Sequence, residues 1–342
     1  MKTIFVTGGA GFIGSAFVRL VLNEQPDIGI INFDALTYAG NLENLSGIDE
    51  SRHTFVKGDI CDRDAVLNAI PRDCDAVFNF AAESHVDRSI HSADEFLRTN
   101  IIGTQVLLDA SRAHNVRRFI QISTDEVFGS LPDESVEFFT ENSPLRPNSP
   151  YAASKAGAEF VVRAARETHG ADTVITRCGN NYGPRQFPEK LIPLMTANAL
   201  NDDLLPVYGD GKNVRDWIYV DDHCRAIWLA YEKGRSGEAY NIGARNEREN
   251  IDVVRSLLGT LSKSHSLINF VTDRLGHDRR YAIDPAKAET ELGWKPETAW
   301  DDGLKKTIEW YRENQAWVNH IRNGEYRDYY RTMYGQRLSS RH

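Results

Sequence analysis

The chain has 342 residues, of which 41% are hydrophobic and 26% charged, which is typical of a folded globular protein and excludes long disordered segments. Its net charge of −9 gives no general attraction for nucleic acid or for an anionic membrane, so we expect neither as a partner. The apolar runs are too short to span a bilayer, and the amino terminus has no signal-peptide pattern. The four cysteines are scattered along the chain. These features together favour a cytoplasmic protein.

Short β-branched runs alternate with helical patterns through the first half of the chain. Strands are predicted at 3–7, 28–33, 54–57, 76–80, 118–123 and 173–177, and a late strand at 239–242 returns to the same sheet. This alternation predicts an α/β fold with a Rossmann-type, doubly wound parallel sheet. Ligands of such a sheet bind beyond the carboxyl ends of its strands. The less regular second half, richer in Pro, Trp and Tyr, indicates a smaller α/β substrate-binding lobe.

A glycine-rich turn follows the first predicted strand. Gly8, Gly11 and Gly14 have the spacing G-x-x-G-x-x-G, which lets the backbone approach a pyrophosphate at the amino end of a helix. Asp34 ends the second strand 20 residues after Gly14, where a carboxylate can accept hydrogen bonds from ribose hydroxyls and would repel a 2′-phosphate. The pattern therefore predicts NAD as the cofactor, in preference to NADP. Asp59 is a candidate for contact with the adenine, and residues 81–84 for contact with the ribose and nicotinamide.

Tyr151 and Lys155 form a Y-x-x-x-K pair, which places both side chains on one face of a helix. Ser149 is suited to cap this helix and Pro150 to its first turn. We expect Lys155 to lower the pKa of the Tyr151 phenol, which would then serve as a base for a sugar hydroxyl. The alternative for such a pair is an exposed helix face.

Two carboxylates directly follow Ser123 and Thr124 at the end of the fifth predicted strand. Asp125 and Glu126 should repel each other, and burial should raise at least one pKa, so that one group can donate a proton and the other accept one. Elimination of water beside a ketone needs such a pair. The alternative is a solvated acidic turn.

Together, the glycine turn, the Ser-Thr pair and the Y-x-x-x-K pair resemble the extended short-chain dehydrogenase/reductase family over essentially the whole chain. The added Asp-Glu pair is similar to its dTDP-glucose 4,6-dehydratase subfamily, and the stretches 81–89, 180–184, 187–193, 215–217 and 276–281 agree with it. Two positions depart from the subfamily: Phe128 stands where Tyr is usual, and Leu275 where Pro is usual. The loop 130–147 is also short for bacterial members.

The resemblance implies a function for each matching position. Tyr151 would be the base at C4, Asp125 the acid for the leaving hydroxyl and Glu126 the base at C5, with Thr124 and Lys155 completing the catalytic set. The implied NAD-binding residues are Gly8, Gly11, Phe12, Ile13, Gly14, Asp34, Leu36, Thr37, Asp59, Ile60, Phe80, Ala81, Ala82, Ser84, Thr99, Tyr151, Lys155 and Asn181. The implied substrate-binding residues are Ser84, Thr124, Asn180, Lys190, Leu191, Pro206, Tyr208, Arg215, Asn250, His277, Arg279 and Tyr281.

The implied reaction converts dTDP-glucose to a 4-keto-6-deoxy sugar with NAD used catalytically. UDP-glucose is the alternative substrate. A nucleotide-sugar 4-epimerase would share the Tyr151–Lys155 pair but has no use for Asp125 and Glu126, and a non-catalytic NAD-sensing or scaffold protein would need only the glycine turn and Asp34. His85 and His277 lack a second ligand at a suitable spacing, so we expect no metal site.

The expected organisation has two lobes and two subunits. Residues 1–178, with 216–243 returning, should form the NAD-binding domain, and 179–215 with 244–335 the lobe that binds the nucleotide sugar. The helical segments 95–114 and 151–169 resemble those that pair two subunits of this family in a four-helix bundle, which implies a homodimer. The residues after Tyr334 carry no apolar pattern, and we expect them to fray.

Overall fold

The computed structural model describes residues 2–132 and 135–322. Its strands are β1 (Lys2–Thr7), β2 (Ile28–Asp34), β3 (His53–Lys57), β4 (Ala76–Asn79), β5 (Arg118–Thr124), β6 (Thr173–Cys178), β7 (Asn180–Tyr182), β8 (Leu205–Tyr208), β9 (Val214–Tyr219), β10 (Ala239–Ile242), β11 (Glu247–Glu249) and β12 (Ile268–Val271). The predicted fraying after Tyr334, and positions 323–335 of the predicted second lobe, lie outside the described residues.

The helices are α1 (Phe12–Glu24), α2 (Arg63–Ala69), α3 (Val86–His91), α4 (Asp94–Leu97), α5 (Thr104–Ala113), α6 (Pro150–His169), α7 (Leu191–Leu200), α8 (Val220–Lys233), α9 (Asn250–Leu261), α10 (Trp300–Glu313) and α11 (Gln315–Arg322). Single 3₁₀ turns occur at Leu42–Leu45, Asp125–Phe128 and His265–Leu267, and π-helical turns at Arg98–Gly103 and Ala288–Leu292.

Seven parallel strands form the central sheet in the order β10-β6-β5-β4-β1-β2-β3. Ile4, Phe5 and Val6 of β1 are fully buried, because apolar side chains pack on both faces of the sheet. The arrangement confirms the predicted doubly wound fold. Chain order reverses at β1, whose neighbours are β2 and β4, and this reversal opens a crevice at the carboxyl ends of the strands.

The other strands form two small sheets. The three-stranded sheet has the order β11-β9-β7, and β8 pairs in parallel with β12. A separate core that includes Tyr182, Trp217 and Trp300 holds these strands against α7, α9 and α10. Helix α8 packs instead on α1, beside the large sheet. The exact lobe boundaries stay a prediction.

The segment predicted as one helix over 95–114 is divided into α4, a π-helical turn and α5. In the π-turn, the Asn100 amide donates to the Glu83 carbonyl at 3.0 Å and to the Ser154 hydroxyl at 2.8 Å. The Thr104 hydroxyl donates to the Asn100 carbonyl at 2.7 Å. These side-chain bonds offset the local loss of regular helix geometry. The turn carries Thr99, which lines the crevice, and π-turns of this kind are frequent at functional sites.

Candidate active site

A single cleft runs along the carboxyl edge of the large sheet, from the turn after β1 to the ends of β5 and β6. It is lined by every residue predicted for catalysis and by every residue predicted for cofactor binding except Leu36. Of the predicted substrate-binding residues, the cleft is lined by Ser84, Thr124, Asn180 and Lys190.

The glycine turn is packed too tightly for side chains. Gly8 has φ +69°, and a Cβ there would lie 2.6 Å from the Ala81 nitrogen. A Cβ at Gly14 would lie 2.2 Å from the Gly8 oxygen. Gly11 is the N-cap of α1 and provides no side-chain cap, so backbone N–H groups of the first turn are available to a ligand. This geometry fits a dinucleotide pyrophosphate.

Asp34 lies at the end of β2, as predicted, and its carboxylate is fixed by two backbone donors. It accepts from the Ala10 N–H at 2.9 Å and from the Leu36 N–H at 2.8 Å. Burial raises the pKa of this carboxyl, and the two hydrogen bonds oppose the rise. Leu36, with φ +55°, therefore supports Asp34 through its backbone, and its predicted contact with the cofactor stays a prediction.

Helix α6 begins as predicted: the Ser149 hydroxyl accepts from the Ala152 N–H at 3.1 Å, and Pro150 occupies the first turn. Tyr151 and Lys155 are both buried. The Lys155 ammonium donates to the Ile122 carbonyl at 2.6 Å, and burial lowers its pKa to about 8.

The predicted lowering of the Tyr151 pKa is wrong for the surroundings that the protein's own groups supply. Burial raises the pKa of the phenol well above its ordinary value, and the charges of Glu126 and Asp125 add to the rise. A hydrogen bond with Thr124 opposes it. Desolvation and the nearby acidic groups thus outweigh any effect of the neighbouring ammonium.

The two carboxylates lie on a 3₁₀ turn that continues β5. The Thr124 hydroxyl donates to the Asp125 carboxylate at 3.2 Å and accepts from the Glu126 N–H at 3.3 Å. Burial, and then the charge of Glu126, raise the pKa of Asp125 well above its usual range. Burial also raises the pKa of Glu126, but three cations oppose that rise: Arg274, Lys190 and Arg215. The pair is therefore not a solvated acidic turn.

A buried ion pair that the sequence analysis missed lies behind this turn. The Glu159 carboxylate accepts from the Ser123 hydroxyl at 2.6 Å and from the Arg177 guanidinium at 2.7 Å. It thereby ties α6 to the ends of β5 and β6. The guanidinium also lies 4.9 Å from the ring centroid of Phe128, which stacks on Phe139 at 4.9 Å. The departure from Tyr at this position is thus accommodated by a cation–π contact.

Four of the predicted substrate-binding residues beyond the cleft wall lie in two contacting pairs. Arg215 lies 4.2 Å over the Tyr281 ring, and the Tyr208 hydroxyl donates to Asp87 at 3.0 Å. His277 lies edge-on to Tyr208 at 6.2 Å. Of the rest, Leu191 begins α7, Pro206 lies in β8, and Asn250 begins α9.

Two arginines of the loop before Tyr281 each form an ion pair with an aspartate. Arg279, a predicted substrate-binding residue, forms an exposed ion pair with Asp210 at 2.7 Å. Arg274 was not predicted, yet it lies 3.5 Å from Asp87 and is among the charges that act on Glu126. Leu275 between them is 80% exposed, so the missing Pro removes no buried contact.

Within residues 2–132 and 135–322, no helix has the length and apolar character needed to cross a membrane. The same part of the chain contains no group of three or more His, Cys, Asp or Glu side chains arranged to hold a metal ion.

The chain matches the family model described as GDP-mannose 4,6 dehydratase over residues 5–307. It is 49% identical to a dTDP-glucose 4,6-dehydratase of Neisseria meningitidis serogroup B, over 96% of this chain and 98% of that protein.

Two solved structures extend the comparison. The dTDP-glucose 4,6-dehydratase of Streptomyces venezuelae, crystallised with NAD, has a TM-score of 0.90 and 49% identity, over 94% of this chain and all of that one. A UDP-glucose 4-epimerase of Thermotoga maritima, crystallised with UDP-glucose, has a TM-score of 0.85 and 31% identity, over 92% of this chain and all of that one. The chain belongs to the dTDP-glucose 4,6-dehydratase family of extended short-chain dehydrogenase/reductase enzymes.

Proposed function

We propose that the protein is an NAD-dependent dTDP-glucose 4,6-dehydratase, which removes water from the sugar and leaves a 4-keto-6-deoxy product. The relatives that share nearly half of its residues carry this name, and one was crystallised with NAD. The glycine turn and Asp34 supply the contacts that NAD needs. Residues 1–178 with 216–243 would hold the cofactor, and 179–215 with 244–335 the nucleotide sugar.

Each catalytic side chain has one proposed task. Tyr151 takes the proton of the C4 hydroxyl while Thr124 orients the phenol by a hydrogen bond. When bound, NAD supplies the hydride acceptor at C4, the later hydride donor at C6, and a positively charged ring that favours the Tyr151 phenolate. Glu126 removes the C5 proton, which the new ketone has made acidic, and C5 takes up a proton again when C6 receives the hydride. Asp125, which its raised pKa keeps protonated, donates a proton to the departing C6 hydroxyl.

The remaining predicted residues would hold the two ligands. The NAD set named above lines the cleft, Leu36 excepted, and Lys155 would be among the residues that hold the cofactor. Lys190 and Arg215 supply positive charge near Glu126, where a diphosphate-linked sugar would have to lie for the chemistry to occur. Tyr208 and Tyr281 are the proposed aromatic contacts of the nucleotide.

The observation that carries the proposal is the Asp125–Glu126 pair, with Asp125 buried and Glu126 half-buried, beside Tyr151 in the cofactor cleft. A 4-epimerase needs the tyrosine but not the carboxylates, although its fold is the same. Mass spectrometry of the product from dTDP-glucose tests this: loss of one water supports dehydration, and an isomer of unchanged mass would establish epimerisation. UDP-glucose, incubated in parallel, tests the choice of nucleobase.

We also infer a homodimer in the cytoplasm. Three large apolar side chains, Leu97, Ile102 and Phe160, are 42%, 55% and 60% exposed. They lie on α4, the π-turn and α6, which pack together, so they form a surface that a second subunit would cover. The four cysteines are free thiols, which suits a reducing compartment.

A further inference from the structure

Tyr38, on the segment that follows β2, contacts a distant part of the chain. Its hydroxyl donates to the Glu189 carboxylate at 3.2 Å, across 151 positions of sequence. Its ring meets Phe187 edge to face at 5.5 Å, and the Arg88 guanidinium lies 3.9 Å from its centroid. Two distant chain segments, one with Arg88 and one with Phe187 and Glu189, thus hold this side chain.

These contacts lie at the cofactor cleft. Thr37, Ala39 and Gly40, the neighbours of Tyr38, line that cleft, and so do Phe187 and Glu189. The Tyr38 segment is anchored at its base, where the Asn41 N–H donates to the Ala10 carbonyl at 3.0 Å in the glycine turn. The second segment is anchored by Lys190, whose ammonium donates to the Ser84 carbonyl at 2.9 Å. The Tyr38–Glu189 bond therefore joins two segments that border the same cleft.

The acceptor of this bond is well suited to a strong contact. Glu189 is only 6% exposed, and its second oxygen lies 3.6 Å from the Nε2 atom of His85. Burial raises the pKa of its carboxyl to about 7, and the charges of Lys190 and Arg88 oppose the rise. A hydrogen bond to a carboxylate in such a low-dielectric setting is stronger than one at the surface.

We propose that the Tyr38–Glu189 contact is a strap that retains NAD between turnovers, an inference that rests on the proposed function. In that reaction the cofactor ends each cycle in its starting form, so slow exchange of the cofactor does not slow turnover. The strap joins two segments of the chain to each other and not to the cofactor, so it must open for entry as well as for release. Weakening it should therefore speed both rates and leave the Kd unchanged, whereas loss of an ordinary ligand contact speeds release alone and raises the Kd.

Stopped-flow fluorescence with NADH as the probe tests this on cofactor-stripped full-length protein. Association is followed directly, and release is followed after a chase with excess NAD. We expect Tyr38→Phe, which keeps the ring but removes the donor, to raise both rates about tenfold. Glu189→Gln should change them in the same direction. The matched control is Tyr240→Phe, since the Tyr240 hydroxyl donates to Glu291 at 2.9 Å in a contact outside the cleft.

The outcomes separate the two proposals. Unchanged rates in Tyr38→Phe would overturn the strap and leave the proposed function intact. Faster release alone, with a raised Kd, would make Tyr38 a ligand contact and also overturn the strap. Failure of the unmodified protein to bind NADH would overturn the cofactor assignment itself, and the strap with it.

Discussion

Replacing Glu126 by Gln isolates the second half of the proposed reaction. The amide keeps the side-chain shape, and the N–H of residue 126 keeps its 3.3 Å bond to the Thr124 hydroxyl, so the turn that carries Asp125 should persist. The substitution removes the group proposed to take the C5 proton. Loss of a general base typically costs about 10²–10⁴-fold in rate, or about 2.7–5.4 kcal/mol of transition-state free energy. We expect dehydration to fall by that factor.

Oxidation at C4 should survive the same change. Glu126 exerts the largest charge effect among those that raise the pKa of the Tyr151 phenol, so its neutralisation should make the C4 base easier to ionise. The charge of Glu126 also raises the pKa of Asp125, and without it the proposed acid loses its proton more readily. Both effects favour the first step over the second, and reduced nicotinamide should accumulate.

Stopped-flow absorbance of reduced nicotinamide, after mixing with dTDP-glucose, measures the first step, and product mass measures the second. Glu313→Gln, an exposed change on α10, is the matched control and should behave as the unmodified enzyme does. Normal loss of water by Glu126→Gln would refute its role as the C5 base. Absence of both reduced nicotinamide and product would show that the carboxylate is needed for oxidation, which contradicts the proposed division into two steps.

Four further outcomes follow from the structure. Tyr151→Phe should form both reduced nicotinamide and product about 10²–10⁴-fold more slowly in the same assay. The repulsion expected at Asp34 predicts that cofactor-stripped protein binds NAD at least about tenfold, or about 1.4 kcal/mol, more tightly than NADP in a titration; equal affinities would contradict it. Because the folded-state pKa of Asp125 is raised, the carboxyl ionises in the unfolded chain first, and the free energy of unfolding falls as pH rises above the unfolded pKa of about 3.9. Asp125→Asn should therefore gain unfolding free energy relative to the unmodified protein as pH rises above about 4 in urea denaturation. Phe160→Glu should shift a dimer toward the 38.6 kDa monomer in light scattering, and an unmodified protein that is already monomeric would refute the dimer.

The parts of the site that were predictable from sequence are those with local signals. The glycine spacing, Asp34 at the end of a strand and the Ser149–Pro150 helix start each depend on a few neighbouring residues. The structure places Asp34 at the end of β2 and gives the Ser149 cap its hydrogen bond to Ala152 at 3.1 Å. The sheet was predictable for the same reason, because the alternation of strand and helix patterns also depends on neighbouring residues.

What the sequence did not indicate depends on contacts between distant positions. The break in the predicted helix 95–114 arises where the Asn100 amide donates hydrogen bonds to Glu83 and Ser154. No pattern within the segment indicates those partners. The direction of the Tyr151 pKa shift was wrong for a related reason. The i+4 lysine is visible in the sequence, whereas the depth of burial is a property of the assembled cleft.

The different tasks proposed for Asp125 and Glu126 depend on the second half of the chain. The two carboxylates are adjacent in sequence, Asp125 buried and Glu126 half-buried, and burial raises the pKa of both. Three cations, Arg274, Lys190 and Arg215, oppose the rise at Glu126. At Asp125 the opposing groups are Arg215 and a hydrogen bond with Thr124, whereas the charge of Glu126 adds to the rise. The pKa of Asp125 is therefore raised further than that of Glu126, which supports the proposed tasks of Asp125 as the acid and Glu126 as the base. Since all three cations follow β6 in the chain, the second half of the chain supplies the charges that distinguish the two carboxylates.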